Sequence, residues 1–399
     1  MKNLRRFCSL IVLLTAPLAL LGVSGRVTPS PAKSYRAYVG TYTAKTNSKG
    51  IYEFDFDPTT GKMSVVQVAA ETKDPSWVAV HPNGKYLYSV NEAGQASALS
   101  AFAINPNDGK LTLLNQLPSL GEDPCYLSFD RTGTFLFVAN YTSGNVAVFP
   151  ILADGKIGEH TGLVKNEGIL GPDKERQEGP HAHWIEPSEH NTGLYVADLG
   201  LDRVIRYQFD AAKGTLSKAP THSDWAPTVT LDPSAKLVAG TGPRHAVFAG
   251  AGQRMYVLGE LQSSVTAFHM VGTDLFTPTS FQRISTLPKG FSGRNDAAEI
   301  GLHPSGRFLY TSNRGNDTIA VFNVQRRGGR LSLVEIVPTG GKEPRHFAID
   351  PTGKFLLAEN QLSDTIVEFR IDPATGKLTP TGETLTLPSP VCLTFVPTD

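Results

Sequence analysis

Cysteine is scarce in this chain: 399 residues hold three, at Cys8, Cys125 and Cys392. That number cannot staple a small secreted scaffold, and Cys125 and Cys392 each open an apolar run, where a free thiol packs as a small hydrophobe. Charge of one sign is also missing, with 37 basic against 37 acidic side chains. A balanced surface gives no bulk attraction to nucleic acid or to a membrane, so the expected partner is small and read by local charge. Past residue 21 there is no long hydrophobic run and no sustained 3.6-residue period. No Gly-x-Ser-x-Gly elbow occurs, and no phosphate-cradling glycine loop of the Walker or dinucleotide type.

The one long apolar stretch lies at the start. Lys2, Arg5 and Arg6 precede Phe7 to Leu21, which Pro17 interrupts, and Val23-Ser24-Gly25 follows. This order of positive, apolar and small residues reads as a secretory signal peptide over residues 1–25, with a linker over 26–34. The expectation is a periplasmic or secreted protein with no membrane contact after cleavage. Losing three bases would leave 34 against 37 acids.

What the chain has in quantity is glycine, 38 residues, and proline, 28. They punctuate a repeat. One kind of turn contains His81-Pro-Asn-Gly84, Asp130-Arg-Thr-Gly133, Glu186 to Gly193, Ala249 to Gln253, His303-Pro-Ser-Gly306 and Asp350-Pro-Thr-Gly353. A second kind contains Asp57 to Lys62, Asn105 to Lys110, Ala153 to Lys156, Asp210 to Thr215, Gly272 to Asp274, Gln325 to Arg330 and Asp372 to Lys377. The runs between them alternate as half-buried strands do, as in Tyr86 to Val90 and Phe135 to Ala139. Six turns of one kind and seven of the other imply seven four-stranded antiparallel blades. In one of them the C-terminal strand, Val391 to Val396, joins the N-terminal strands Tyr35 to Val39 and Ile51 to Asp55. The fold expected is an all-β seven-bladed propeller, one domain over 35–397, closed so that no sheet edge is left to propagate.

In such a ring the inner strand begins, and its neighbour ends, at one face. The residues at those places are Ser76-Trp77, Cys125-Tyr126, His181-Ala-His183, Arg244-His245, Ala297 to Glu299 and Arg345-His346, facing Glu92, Tyr141, Asp198, Glu260, Arg314 and Gln361. The longest connections, Thr161 to Gly179, Pro220 to Gly242 and Ile284 to Asn295, reach the same side, as binding loops do. His181 and His183 share a strand face and could ligate a metal, but no carboxylate or cysteine spacing completes a site. The chemistry left is acid–base work on an oxygen-rich anion, with arginines to meet developing negative charge.

At these residues the sequence resembles the propeller-type lactonase family. Tyr38-Val-Gly-Thr-Tyr42, Phe137-Val-Ala-Asn-Tyr-Thr-Ser-Gly144, Gly179-Pro-His-Ala-His183, Gly242-Pro-Arg-His245, Ser312-Asn-Arg-Gly315, Glu343-Pro-Arg-His346 and Ser389-Pro-Val-Cys392 carry the likeness, which spans about Tyr35 to Pro397. The family includes bacterial 6-phosphogluconolactonases and, more distantly, fungal 3-carboxymuconate lactonising enzymes. The resemblance implies a lactone-hydrolysing carboxylic ester hydrolase of carbohydrate metabolism, without metal or other cofactor. It makes His181 and Glu260 the acid–base pair, and Arg244 and Arg314 the binders of an anionic lactone or sugar acid. His183, His245, Arg345 and His346 join as substrate contacts by their position in the repeat. A monomer is expected. A non-catalytic binding propeller and a muconate-type lactonising enzyme remain alternatives.

Overall fold

The computed structural model describes residues 34–219, 222–223, 226–230, 234–270 and 278–398; the leader and the turn at Gly272 to Asp274 lie outside the described residues. The alternating runs form seven antiparallel sheets of four strands, labelled A to D from the channel outward. Blade one is stitched from both termini: Pro390–Pro397 is its strand A, followed outward by Tyr35–Thr41, Gly50–Phe56 and Gln67–Glu71. The closing pair runs from Tyr35 opposite Pro397 to Thr41 opposite Pro390. Strand A of blades two to seven is Val78–Val80, Pro124–Phe129, Ala182–Pro187, Pro243–Ala249, Asp296–Leu302 and Pro344–Ile349. The prolines at the heads of these strands sit where no ladder N–H is required.

Two of the three longest connections, read from sequence as binding loops, contain strands. Residues Gly162–Lys165 form strand D of blade three, because Leu163 and Val164 can pair with Ala147 and Val146. Between blades four and five, His222–Ser223 pairs with Ala226–Thr230, and Ser234–Lys236 adds to strand C of blade four beside Arg203 to Ile205. The third connection is shortened to residues 286–295 by strand Thr279–Ser285.

Adjacent blades are tied by one repeated device. Tyr38, Tyr88, Tyr256 and Tyr310, all fully buried on strand B, donate their hydroxyls to Gly109, Gly155, Gly329 and Gly376 in the C–D turn of the following blade, at 2.6–2.9 Å. Each of these glycines has φ between 69° and 83°, a left-handed conformation that glycine adopts without penalty. On the same face, His81 and His303 bond the Gly133 and Gly353 carbonyls of the next A–B turn at 2.8 Å. The core therefore lies between blades, and Cys125 and Cys392 are buried free thiols within it.

Candidate functional site

A strand that alternates strictly cannot aim two consecutive side chains at the channel. Bulges at the heads of the inner strands remove that limit. In blade five Pro243 pairs with Gly259 and His245 with Leu258, so Arg244 is the extra residue. Arg345 is extra in blade seven, between Pro344–Asn360 and His346–Glu359. His183 takes that place in blade four and Cys125 in blade three, while in blade six Ala298 and Glu299 together oppose Ser312. Each bulge re-aims a side chain, a recurrent use of bulges beside functional sites. It is why both members of Arg244-His245 and of Arg345-His346 reach the centre.

Three arginines, of which Arg244 is at a bulge, converge on Glu260, which follows strand Arg254–Gly259. Its Oε2 lies 3.2 Å from Arg244 Nε and 3.1 Å from Arg314 Nη2, and its Oε1 lies 2.5 Å from Arg176 Nη2. Arg176 also reaches Asp296 at 3.5 Å, and Arg314 donates from Nε to the Asp296 carbonyl at 3.1 Å. Burial by itself would lift the Glu260 pKa, but Arg314, Arg244 and Arg176 outweigh it and hold the carboxyl at about 2. Arg244 is buried, with Arg345 and Arg314 close by, and its pKa falls to about 10 in spite of Glu260 and Glu299. Glu260 is accordingly a fixed negative centre for three guanidinium groups and a weak proton acceptor.

His181 heads blade four at the rim of this cluster. Its Nδ1 donates to the Tyr141 carbonyl at 3.0 Å, its ring stacks on the Tyr141 ring at 4.5 Å, and its Nε2 faces the exposed Glu178 carboxylate at 3.1 Å. The Asp198 carboxylate accepts from the His181 backbone N–H at 2.9 Å and fixes the turn. The Tyr141 hydroxyl interacts electrostatically with Arg176, and His181 stacks on Tyr141, so His181, Tyr141, Arg176 and Glu260 are neighbours.

Deeper in the channel His245 donates from Nδ1 to Glu299 at 2.9 Å and accepts from Arg244 Nη1 at its Nε2, 3.3 Å away. His346 donates to Glu359 at 2.6 Å and stands 3.6 Å from Glu299. Burial and the neighbouring Arg244 push His245 down to about 4 against the pull of Glu299. His346 is raised, since Glu359 and Glu299 overcome its burial. His183 packs edge-on to His245 at 5.1 Å, and its buried Nδ1 has no hydrogen-bond partner among the described residues; burial, Arg244 and His245 hold it well below the ordinary histidine range. Trp77 and Tyr126 pack with tilted rings 4.2 Å apart; Trp77 is edge-on to both His245 and His346, and Tyr126 to His245. Arg345 donates to the Tyr42 hydroxyl at 2.9 Å, and that hydroxyl donates to Glu92 at 2.7 Å.

All eight residues singled out from sequence lie in this region, in two tiers. His181, Arg244, Glu260 and Arg314 belong to the upper set; His183, His245 and His346 line the channel below, and Arg345 stands beside Arg244. Sequence reasoning missed Arg176 and Glu178, which come from a loop without repeat register. Only the length of that loop pointed to them. Glu299 was readable at the head of its inner strand, while Glu359, one residue before the end of strand Phe355–Asn360, was not singled out. Among the described residues no group of three or more His, Cys, Asp and Glu side chains is arranged to hold a metal ion.

A family model described as lactonase, 7-bladed beta-propeller, matches residues 36–395. The 6-phosphogluconolactonase of Bacillus subtilis is 36% identical over 91% of this chain and 98% of its own length. The 6-phosphogluconolactonase of Formosa agariphila is 34% identical over 78% of this chain and 85% of that protein. Among solved structures, the periplasmic gluconolactonase of Pseudomonas aeruginosa is similar with a TM-score of 0.82 and 32% identity, covering 92% of this chain and all of that one.

Proposed function

Because the chain belongs to the seven-bladed β-propeller lactonase family, we propose that it is a carboxylic ester hydrolase that opens a sugar-derived lactone at the mouth of its channel. The observation that carries this reading is the set of arginines immobilised around Glu260 beside an imidazole with one nitrogen committed and the other facing the rim. Ester hydrolysis requires a place for the carbonyl oxygen's developing charge and a group that moves one proton twice.

In the proposed reaction a water oxygen attacks the lactone carbonyl carbon, and its proton passes to His181 Nε2. The carbonyl electron pair moves onto oxygen, where Arg244 and Arg314 meet it. Collapse of that intermediate breaks the ring C–O bond, and His181 returns the proton to the departing alkoxide. The product is one molecule, a hydroxy acid. Glu178, 3.1 Å from Nε2, stabilises the transient imidazolium, and the Tyr141 carbonyl keeps Nδ1 as the donor. Glu260 orients the arginines and takes no proton, since at about 2 it stays ionised throughout. Catalysis by this route uses side chains alone.

Export is part of the proposal. It rests on Lys2, Arg5, Arg6 and the apolar stretch after them, and the periplasmic location in the name of the Pseudomonas aeruginosa relative supports it. The test is base uptake at constant pH on a panel of sugar lactones. Turnover that collapses in Arg244→Ala and His181→Asn is expected; no turnover on any lactone would remove the activity.

A further inference from the structure

Resting on the lactonase reading, we infer that the site selects an uncharged, polyhydroxylated lactone over the phosphorylated form of the same sugar. A cavity of about 440 Å³ adjoins the arginine cluster and shares Arg176 and Asp296 with it. Its volume lies in the range of small-molecule sites. The remaining charged residues of its wall are Asp173, Glu175 and Arg294, so three carboxylates face two guanidinium groups.

Both guanidinium groups are paired with carboxylates, Arg294 through its Nε from an exposed side chain. Arg176 is held by Glu260 at 2.5 Å and Asp296 at 3.5 Å, and Arg294 by Asp296 at 3.1 Å. In the cluster below, Arg244 and Arg314 share Glu260, and Arg314 has Glu343 at 4.0 Å. Lys174 and Lys289, on the two neighbouring loops, are exposed and do not line the cavity. A phosphate dianion placed here would compete with Glu260 and Asp296 for these arginines while standing close to three carboxylates, and like charges at such separations repel. Sugar hydroxyls meet no such obstacle. They donate to carboxylates and accept from the Gln262 amide, which also lines the wall, whereas a phosphate dianion only accepts.

The experiment measures kcat/KM on D-glucono-1,5-lactone and on its 6-phosphate, with spontaneous opening subtracted, for the wild type and for Glu175→Lys. Glu175 is exposed and makes no contact in the arginine cluster. The unphosphorylated lactone is expected to be favoured about tenfold or more. Glu175→Lys is expected to raise the ratio of kcat/KM on the phosphorylated lactone to that on the unphosphorylated one several-fold. Equal or greater kcat/KM on the phosphate, or no response to the charge reversal, overturns the inference while the lactonase reading stands. If neither lactone is opened the lactonase reading falls, and calorimetric binding of gluconate and 6-phosphogluconate then decides selectivity: tighter gluconate supports it and tighter 6-phosphogluconate overturns it.

Discussion

Arg176 Nη2 stands 2.5 Å from Glu260 Oε1 and ties a loop residue to a position 84 residues later, completing a carboxylate held by three guanidinium groups. Removing the carboxylate leaves buried like charges, one of which, Arg244, already has a depressed pKa. Glu260→Gln is therefore expected to lower kcat by roughly 10²–10³ through misplaced arginines. The pH–rate profile should keep its shape above pH 4, because a group at about 2 does not titrate there. Stopped-flow or pH-stat profiles of both proteins check this; loss of a kinetic limb between pH 4 and 7 would assign Glu260 the proton transfer instead.

Arg244→Lys should fare almost as badly as Arg244→Ala. Arg244 spends its planar fork on Glu260, the Ala298 carbonyl and His245 Nε2, and an ammonium cannot reproduce that geometry. A drop in kcat/KM of about 10² or more with an unchanged far-ultraviolet spectrum is the expected result.

The legible part of the molecule was the part that repeats. Turn residues and alternation give every blade, and the imbalance of six turns against seven locates the closure between Pro390–Pro397 and Tyr35–Thr41. Site positions followed from the same register, which is why Arg244, Arg345 and His346 were found. Roles were harder to read, because a pKa depends on neighbours brought from other blades. Glu260 looked like a base until three arginines surrounded it. Arg176 and Glu178 lie on a connection with no periodicity, and the bulges that let Arg244 and His245 share the channel leave no composition signal.

Acid should unfold the protein in two overlapping windows. His245 is held at about 4 against an ordinary 6.5, so the unfolded chain binds its proton first, and stability is lost as pH falls from 6.5 through 4. Glu260, held at about 2 against 4.5, adds a loss as pH falls from 4.5 through 2. Each window is worth roughly 3 kcal/mol at full shift. Urea titrations at pH 7, 5 and 3 read the slope, and Glu260→Gln should flatten the lower window only.

Glu368 behaves in the opposite sense. It is fully buried on strand C of blade seven, and neither carboxylate oxygen has a hydrogen-bond partner among the described residues. Burial raises its pKa to about 7. Stability from the neutral form is complete below pH 4.5 and is lost as pH rises through 7. Glu368→Gln should raise Tm by a few degrees at pH 8 and by much less at pH 4, measured by scanning calorimetry. An equal change at both pH values would contradict the assignment.

Cutting the chain before Pro390 removes strand A of blade one and exposes the inner edge of Tyr35–Thr41. The truncated protein is expected to aggregate or to lose its cooperative transition, since an open ring has unpaired edges at its seam. A monomeric, cooperatively melting product in sedimentation and calorimetry would argue against closure as the source of stability.

The proton shuttle at His181 is the claim on which the functional account turns. The direct measurement is the single-turnover rate of lactone opening by wild type and His181→Asn, both shown folded by calorimetry. The account predicts a fall of about 10²–10⁴ in the chemical step with substrate affinity changed little. A variant that opens the ring as fast as the wild type would contradict it.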